Sequence, residues 1–437
     1  MTIKPVFILS RGVGISIKPT GQLASIKDRE EIRGRIDFFL KELESELGDG
    51  VTISEQLLVN DPADFNSLLS SKGETEALLV YFWGVIPIEN LLRWPGPIIA
   101  FGGQHTPAFP LYAVGEERHF RNDLFIALDY EDIRRTLRIL ELKKSLAETR
   151  VMMIGSPASW YLRWYAFPDL EALRRKFGLQ FIPLELRELL EVVKGVDKGK
   201  ASLLARMWMV EAKQVLGPSV EDVQQSAMVY LALEEVLNRR GARAMAINCL
   251  EITQSRKFSD QITNPCWAMS WLRDMGIPSA CEMDIAALLT MILLGTLSKK
   301  PTFLGNIVSA DPETNRIKIS HCILPSRMAG FDKDPLPYII RDFHGEKGVT
   351  SFTEVPAGMK LTLARSRRNS ERIVALAGEV VACEDTIFCR NTLTIQVQNV
   401  REFIRQAEGN HQVAVFGDYL QDLEFMSKVL NFELLLV

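Results

Sequence analysis

The chain has 437 residues, of which 47% are hydrophobic and 24% are charged, a composition typical of a folded globular protein. Its net charge of −4 and pI of about 5.9 exclude the basic surface of a nucleic-acid-binding protein. No apolar run reaches the ~20 residues that a membrane helix needs, and the N-terminus lacks a signal-peptide pattern. We therefore expect a cytoplasmic protein of about three domains, with no membrane and no nucleic-acid partner.

The first part of the chain alternates short apolar runs with amphipathic stretches. Residues 6–10 (VFILS) and 78–84 (LLVYFWG) predict buried strands, and residues 27–47 predict a helix with apolar positions near a 3.6 period. This alternation is typical of a parallel sheet with helices on both faces. Gly12-Val13-Gly14 after the first strand matches only two glycines of a dinucleotide-binding motif, so we interpret it as a turn.

The same pattern restarts at residues 150–157 (RVMMIGSP). It continues through strands at 244–251 (AMAINCLE) and 277–282 (IPSACE), and a buried helix follows at 285–297. These elements predict a second doubly wound sheet.

The pattern changes near residue 315, where the segments alternate apolar and polar residues at period 2. Gly, Pro and Asn separate them, which is typical of an antiparallel barrel or sandwich. The predicted fold class is α/β, with two doubly wound, Rossmann-like domains and an antiparallel β-barrel-like C-terminal domain. We place these domains at 1–148, at 149–314 with Glu282 and Asn306, and at 315–437 with a terminal helix and strand.

Histidine is rare in this chain, and two of its five histidines lie inward on predicted strands. His321 follows Ile317 and Ile319 at period 2, and His411 begins the apolar strand HQVAVF. A lone inward histidine is more often a satisfied core residue than a metal ligand. The six cysteines are scattered and include no CxxC pair, which argues against a zinc finger.

Glu282 changes this interpretation because it ends the predicted strand IPSACE just before a helix. In a parallel sheet the carboxyl ends of strands face the ligand crevice, where an unpaired carboxylate is costly to bury. Glu251 ends another strand in the same manner and is either a second crevice carboxylate or a surface residue. Asp284 is best interpreted as a helix N-cap. One carboxylate, two histidines and a further oxygen ligand would suit Mn²⁺ or a similar divalent cation.

Five segments of the second half occur in a suggestive order and spacing. They are ACEMDIAALLTMILLG, PTFLGNI, ISHCILP, the stretch from FHGEKGVTSF to MKLTLARSRR, and EGNHQVAVFGDYLQDLEFM. In these segments the chain resembles the L-fucose isomerase and L-arabinose isomerase superfamily. The resemblance extends from about residue 240 to the end, whereas the first 240 residues match only in their α/β texture.

The resemblance implies a metal-dependent aldose–ketose isomerase that acts through an enediol(ate), with Mn²⁺ or another divalent cation as cofactor. It implies that Glu282, His321 and His411 bind the metal. The family's second carboxylate falls at position 306, where this chain has Asn306. An amide oxygen still ligates a metal, but an amide does not accept a proton at neutral pH. Either Glu282 performs both proton transfers, or Asp284, Glu251 or a water replaces the missing carboxylate.

The missing carboxylate leaves other functions open. An epimerase or a lyase on the same scaffold is one alternative, and a non-catalytic sugar-binding homologue is another. Neutral, sulfonated and phosphorylated sugars all stay open as substrates.

The resemblance also implies a homo-oligomer, commonly a hexamer, in which the first domain of one subunit borders the active site of its neighbour. On that ground we expect Gln104 and His105 to contact the sugar. We also expect His344 of the FHGEKGV loop to line the pocket as a substrate-binding residue. Loop capping by His105 and a solvated turn at His344 are the alternatives. We expect Arg365 to lie on a solvated face, and Trp267 to lie in the core or at a subunit interface.

Overall fold

The structure is a computed structural model of the chain. It describes residues 1–9, 14–17, 23–26, 29–48, 50–70, 74–83, 88–89, 91–101, 114, 121, 123–156, 166–368, 370–387 and 389–437. The chain divides into two compact units, Met1–Glu141 and Leu142–Val437.

The first unit is built on a parallel sheet. Its strands are β1 (Thr2–Ile8), β2 (Gly14–Ile17), β3 (Leu23–Ile26), β4 (Thr52–Ile53), β5 (Leu57–Val59), β6 (Ala77–Phe82), β7 (Ile98–Phe101) and β8 (Leu124–Ala127). Its helices are α1 (Arg29–Leu47), α2 (Asn66–Ser70) and α3 (Tyr130–Glu148), the last of which continues into the second unit. The sheet order is β4-β1-β6-β7-β8, with β5 also pairing β1, whereas β2 and β3 form an antiparallel pair. The central strands are buried along most of their length, which explains their continuous apolar sequence.

The second unit begins with another parallel sheet, in the order β10-β9-β12-β13. Its strands are β9 (Arg150–Ile154), β10 (Gln180–Leu184), β12 (Ala244–Ile247) and β13 (Ser279–Ala280), and β11 (Gln214–Leu216) lies outside it. The helices are α4 (Leu170–Phe177), α5 (Leu186–Gly195), α6 (Lys198–Glu211), α7 (Val220–Arg240), α8 (Cys249–Gln254), α9 (Arg256–Ser259), α10 (Cys266–Asp274) and α11 (Ile285–Ser298). Helix α11 is buried along almost its whole length, as its apolar sequence predicts.

The rest of the second unit is mainly antiparallel. Its strands are β14 (Phe303–Asp311), β15 (Arg316–His321), β16 (Tyr338–Phe343), β17 (Glu346–Thr353), β18 (Lys360–Ser366), β19 (Arg372–Glu384), β20 (Asn391–Gln396), β21 (His411–Phe416) and β22 (Glu433–Leu436). Two helices, α12 (Val400–Gln406) and α13 (Leu420–Leu430), accompany them. The main sheet has the order β18-β21-β14-β15-β20-β19-β22, and β18 also pairs with β19. Six antiparallel strands therefore close into a ring.

The ring encloses an apolar core to which each of its six strands contributes. Buried residues of this core include Phe303, Ile319, Leu363, Leu376 and Phe416. Gly378 of β19 allows β20 to come close, because a Cβ at this position would lie 2.6 Å from Ile395 and 2.9 Å from the Gln396 carbonyl oxygen. The closed arrangement fixes the register of the strands that carry His321 and His411.

These sheets agree with the predicted mixture of parallel α/β sheets and an antiparallel-rich sheet. Two details differ from expectation. The antiparallel sheet already includes β14, and β16 and β17 form a separate sheet with β11, to which β16 pairs in parallel. The period-2 segments after residue 315 therefore do not all join one sheet, because alternation reports the burial of each face and not the partner strand. The three domain boundaries stay a prediction.

Two further expectations concern the location of Trp267 and the presence of membrane-spanning helices. Trp267 is buried, with ring centroids 5.8 Å from Trp208 and 5.3 Å from Tyr338, so it is a core residue as expected. No helix in the described part of the chain is long and apolar enough to cross a bilayer.

Candidate metal and active site

Glu282 lies in a strained turn between the parallel sheet and helix α11. It follows β13, and both Glu282 and Met283 have left-handed backbones, with φ of 56° and 54°. A left-handed conformation costs a residue with a side chain roughly 1–2 kcal/mol. The Met283 amide donates to the Ile247 carbonyl at 3.0 Å, and the Met283 side chain is buried. These contacts hold the strained turn in place.

His411 lies next to this carboxylate. It begins β21 and is fully buried, and its Nε2 lies 3.8 Å from Glu282 Oε2. His321 ends β15, and its ring centroid lies 5.6 Å from that of His411. One candidate ligand atom from each of Glu282, His321 and His411 lies within 4.8 Å of the others. The structure therefore brings together the three predicted residues, although their role as metal ligands stays a prediction.

Asp284 contacts His411 on the side of the ring that faces away from Glu282. Its Oδ1 accepts the Ala287 amide of α11 at 2.8 Å, which is the predicted N-cap. Its Oδ2 lies 2.7 Å from Arg365 Nη1 and 2.8 Å from His411 Nδ1. An ionised Asp284 carboxylate can only accept a hydrogen bond at Nδ1, which orients the His411 ring with Nε2 on the side of Glu282. Both oxygens of the Asp284 carboxylate are thus engaged in contacts that position helix α11 and His411. The predicted role of Asp284 in proton transfer stays a prediction.

Burial and charge set the protonation of these groups. Burial raises the pKa of Glu282, and the nearby His411 opposes that shift. Burial would also raise the pKa of Asp284, but Arg365 and His411 outweigh it and keep this pKa below its usual value. Burial lowers the pKa of His321 well below its usual value, and its neighbour His411 lowers it further. His321 is therefore a neutral imidazole, the form that binds metals.

The donor set fits a divalent cation. His321 is buried, and no described residue forms a hydrogen bond with its Nδ1. A buried nitrogen without a partner is costly, and an ion bound through this atom would satisfy it. One carboxylate oxygen and two imidazole nitrogens suit Mn²⁺ and similar ions, provided that further oxygen ligands complete the shell.

Asn306 faces the same side of the barrel wall as His411. It lies on β14, directly opposite His411 on β21 and opposite Ser320 on β15. Directly opposed residues of antiparallel strands place their side chains on one face. The Asn306 side-chain oxygen accepts a hydrogen bond from Asn410 at 2.7 Å, which leaves it one more lone pair. Its predicted role as a ligand stays a prediction.

The other predicted site residues do not join the cluster in the structure. His344 Nε2 lies 3.0 Å from Cys322 Sγ. Glu251 belongs to α8 and accepts hydrogen bonds from the Ser156 amide and hydroxyl at 3.0 and 2.9 Å. Gln104, His105 and the Gly12-Val13 pair lie outside the described residues, so their predicted roles stay predictions.

Arg365 is the main residue that the sequence analysis assigned wrongly. It is fully buried and paired with Asp284, and not solvated as expected. The sequence did contain a signal, because Arg365 continues the period-2 alternation of Leu361 and Leu363, which are core residues of the barrel. A cation on an apolar face indicates a buried anion nearby.

Comparisons with known proteins point to isomerases. No family model matches the chain. A sulfoquinovose isomerase of Priestia megaterium is 22% identical over 329 residues, which cover 69% of this chain and 68% of that protein. A sulfoquinovose isomerase of Alkalicoccus urumqiensis is 26% identical over 200 residues, or 44% of this chain and 42% of that protein. One from Clostridium sp. is 25% identical over 224 residues, or 50% of this chain and 48% of that protein.

In two of these three comparisons the match spans less than half of the relative's length. Each of the relatives is nevertheless named as an isomerase, which agrees with the prediction of an isomerase enzyme. The low identities leave the finer resemblance to fucose and arabinose isomerases as an expectation.

Proposed function

We propose that this protein is a divalent-metal-dependent aldose–ketose isomerase whose substrate is an anionic sugar of the sulfoquinovose type. The observation that carries the proposal is the buried cluster of Glu282, His321 and His411, with Asp284 fixing His411. The names of the relatives support the reaction and the sugar. A protein that only binds sugar needs neither a buried ligand cluster nor a strained turn to present a carboxylate.

The proposed reaction moves a proton between two neighbouring carbons. The Glu282 carboxylate removes the C2 proton of the aldose and returns a proton to C1, while the O2 proton is lost and O1 gains one. Because Asn306 cannot accept a proton, Glu282 performs both transfers on one face of the intermediate enediolate. Glu282, His321 and His411 would hold the cation. When bound, that cation supplies a positive charge close to the two substrate oxygens on which negative charge develops.

The other residues keep this arrangement in place. Asp284 holds Nδ1 of His411, so that Nε2 faces Glu282. Arg365 balances the charge of Asp284, so that the buried carboxylate stays ionised.

Proton transfer through Glu282 predicts isotope incorporation. We expect sulfoquinovose, incubated in deuterated water with the Mn²⁺-loaded protein, to yield the corresponding 2-ketose with deuterium at C1. NMR of the product, recorded after removal of the metal, would identify the ketose and measure the deuterium at C1. An epimeric aldose as the product would favour an epimerase, and saturable binding without turnover would favour a sugar-binding protein. Either outcome would contradict the proposal.

Replacement of Asn306 tests why an amide stands at this position. We expect Asn306→Asp to fold normally, because the two side chains are nearly isosteric and the new carboxylate can still accept the hydrogen bond from Asn410. The added negative charge should tighten Mn²⁺ binding. It should also repel an anionic sugar by about 1–2 kcal/mol, which corresponds to about a tenfold higher KM.

A neutral aldose is the control, since it carries no charge for the new carboxylate to repel. Steady-state kinetics of both sugars measure the difference. Better turnover of the anionic sugar by Asn306→Asp than by the parent would contradict this explanation.

A further inference from the structure

A second group of ligand-type side chains lies beside the first. Cys322, His344 and Cys389 each offer one atom within 4.8 Å of the others. The Sγ of Cys322 lies 3.0 Å from His344 Nε2. Cys322 directly follows His321, so the two groups are neighbours along β15 and its exit. Cys322 is buried, and the other two residues are half-buried.

Three separate chain segments converge to form this group. Cys322 leaves β15, His344 lies in the tight turn between β16 and β17, and Cys389 lies in the connection between β19 and β20. His344 has a left-handed backbone with φ of 54°, and its ring stacks on Phe343 at 4.0 Å between centroids. The strained turn and the stacked ring hold the imidazole toward Cys322.

The backbone around Cys389 is held as firmly. The Cys389 carbonyl accepts the Thr386 hydroxyl at 2.6 Å and the Ser320 hydroxyl at 3.4 Å. The Ser320 and Thr392 hydroxyls lie 2.6 Å apart, which ties β15 to β20 at this level. The two thiols and the imidazole are thus positioned by the fold.

We propose that Cys322, His344 and Cys389 bind a second, thiophilic divalent cation of the zinc class. Two sulfurs and one imidazole nitrogen are the soft donors that zinc prefers, in contrast to the carboxylate and two imidazoles of the first cluster. Tetrahedral zinc with bonds of about 2.0–2.3 Å places its ligand atoms about 3.5 Å apart. The three candidate atoms already lie within 4.8 Å of one another, so only small movements are needed. Three protein ligands leave one position for water or another ligand.

The site also bears on the predicted role of His344. With its Nε2 engaged at Cys322, this imidazole is a ligand of the second cation and not a contact to the sugar. The inference stands apart from the proposed isomerase activity, because none of its three residues belongs to the Glu282 cluster.

Cobalt substitution tests the site by a readout other than activity. We expect the full-length, metal-free protein to bind Co²⁺ with a thiolate-to-cobalt charge-transfer band in the near ultraviolet, which added Zn²⁺ abolishes. Cys322→Ser and Cys389→Ser should each weaken the band by about half or more, because each removes one of two thiolates. His344→Gln should weaken the affinity at least about tenfold. Cys383→Ser is the matched control, because Cys383 contacts the Thr353 carbonyl outside the group. It should keep the band, as should Glu282→Gln, which separates this site from the isomerase cluster.

A second measurement needs no variant and covers the case in which the cysteine variants do not fold. Zn²⁺ should slow alkylation of Cys389 in the parent protein but leave Cys249, which lies outside the group, unprotected. Peptide mass spectrometry reads both sites. Absence of the band and of the protection would overturn the proposal, and so would a Cys322–Cys389 disulfide that forms in air in place of metal uptake.

Discussion

The Glu282→Gln variant is expected to lose isomerase turnover and metal affinity together. The change removes a ligand charge and the proposed proton acceptor at once, while the side chain keeps its shape. General acid–base groups contribute about 10²–10⁴-fold to a rate, so we expect kcat to fall at least about 10²-fold. Steady-state kinetics and titration with Mn²⁺, followed by the electron paramagnetic resonance signal of the free ion, measure the two losses.

The matched control is Glu251→Gln. Glu251 also follows a strand of the parallel sheet, but its carboxylate accepts hydrogen bonds from Ser156 and lies outside the cluster. This variant should bind Mn²⁺ like the parent. If Glu251→Gln lost Mn²⁺ binding while Glu282→Gln kept it, Glu251 and not Glu282 would be the carboxylate ligand, and the proposal would be wrong.

The Arg365→Leu variant is expected to lose about 3–5 kcal/mol of unfolding free energy. Arg365 and Asp284 are both fully buried and 2.7 Å apart, so removal of the cation leaves a buried carboxylate without its counterion. Urea denaturation of the metal-free protein measures the loss. We also expect weaker Mn²⁺ binding, because a protonated Asp284 no longer fixes His411.

Arg405→Leu serves as the control for Arg365→Leu. Arg405 is largely exposed and lies 3.5 Å from Glu402, and exposed pairs of this kind contribute about 0–1 kcal/mol. Equal effects of the two changes would show that the Arg365–Asp284 pair contributes no more than a surface pair.

Much of the site could be predicted because single residues carried strong local signals. Glu282 ends a predicted apolar strand, and His321 continues the alternation of Ile317 and Ile319. Periodicity predicted the inward direction of His321, and the position of Glu282 at a predicted strand end predicted that it faces the crevice. The order of the motifs suggested that residues 129 positions apart converge. The distance of 3.8 Å between Glu282 Oε2 and His411 Nε2 agrees with that expectation.

The partners of these residues could not be predicted in the same way. The Asp284–Arg365 pair depends on how α11 packs against β18, and no pattern within one element reports such a contact. The convergence of Cys322, His344 and Cys389 depends on three turns, whose conformations alternation does not encode. Strand partners were missed for the same reason, as the separate sheet of β11, β16 and β17 shows.

The three residues of the cluster come from two differently built parts of the second unit. Glu282 comes from the turn that follows the parallel sheet, whereas both histidines come from strands of the closed ring. A cation held by all three residues would link these two parts, because moving one part away from the other would remove ligands and release the cation. Metal binding would therefore couple the unfolding of the two parts. Both should unfold in one transition, and its midpoint should rise with the concentration of free metal.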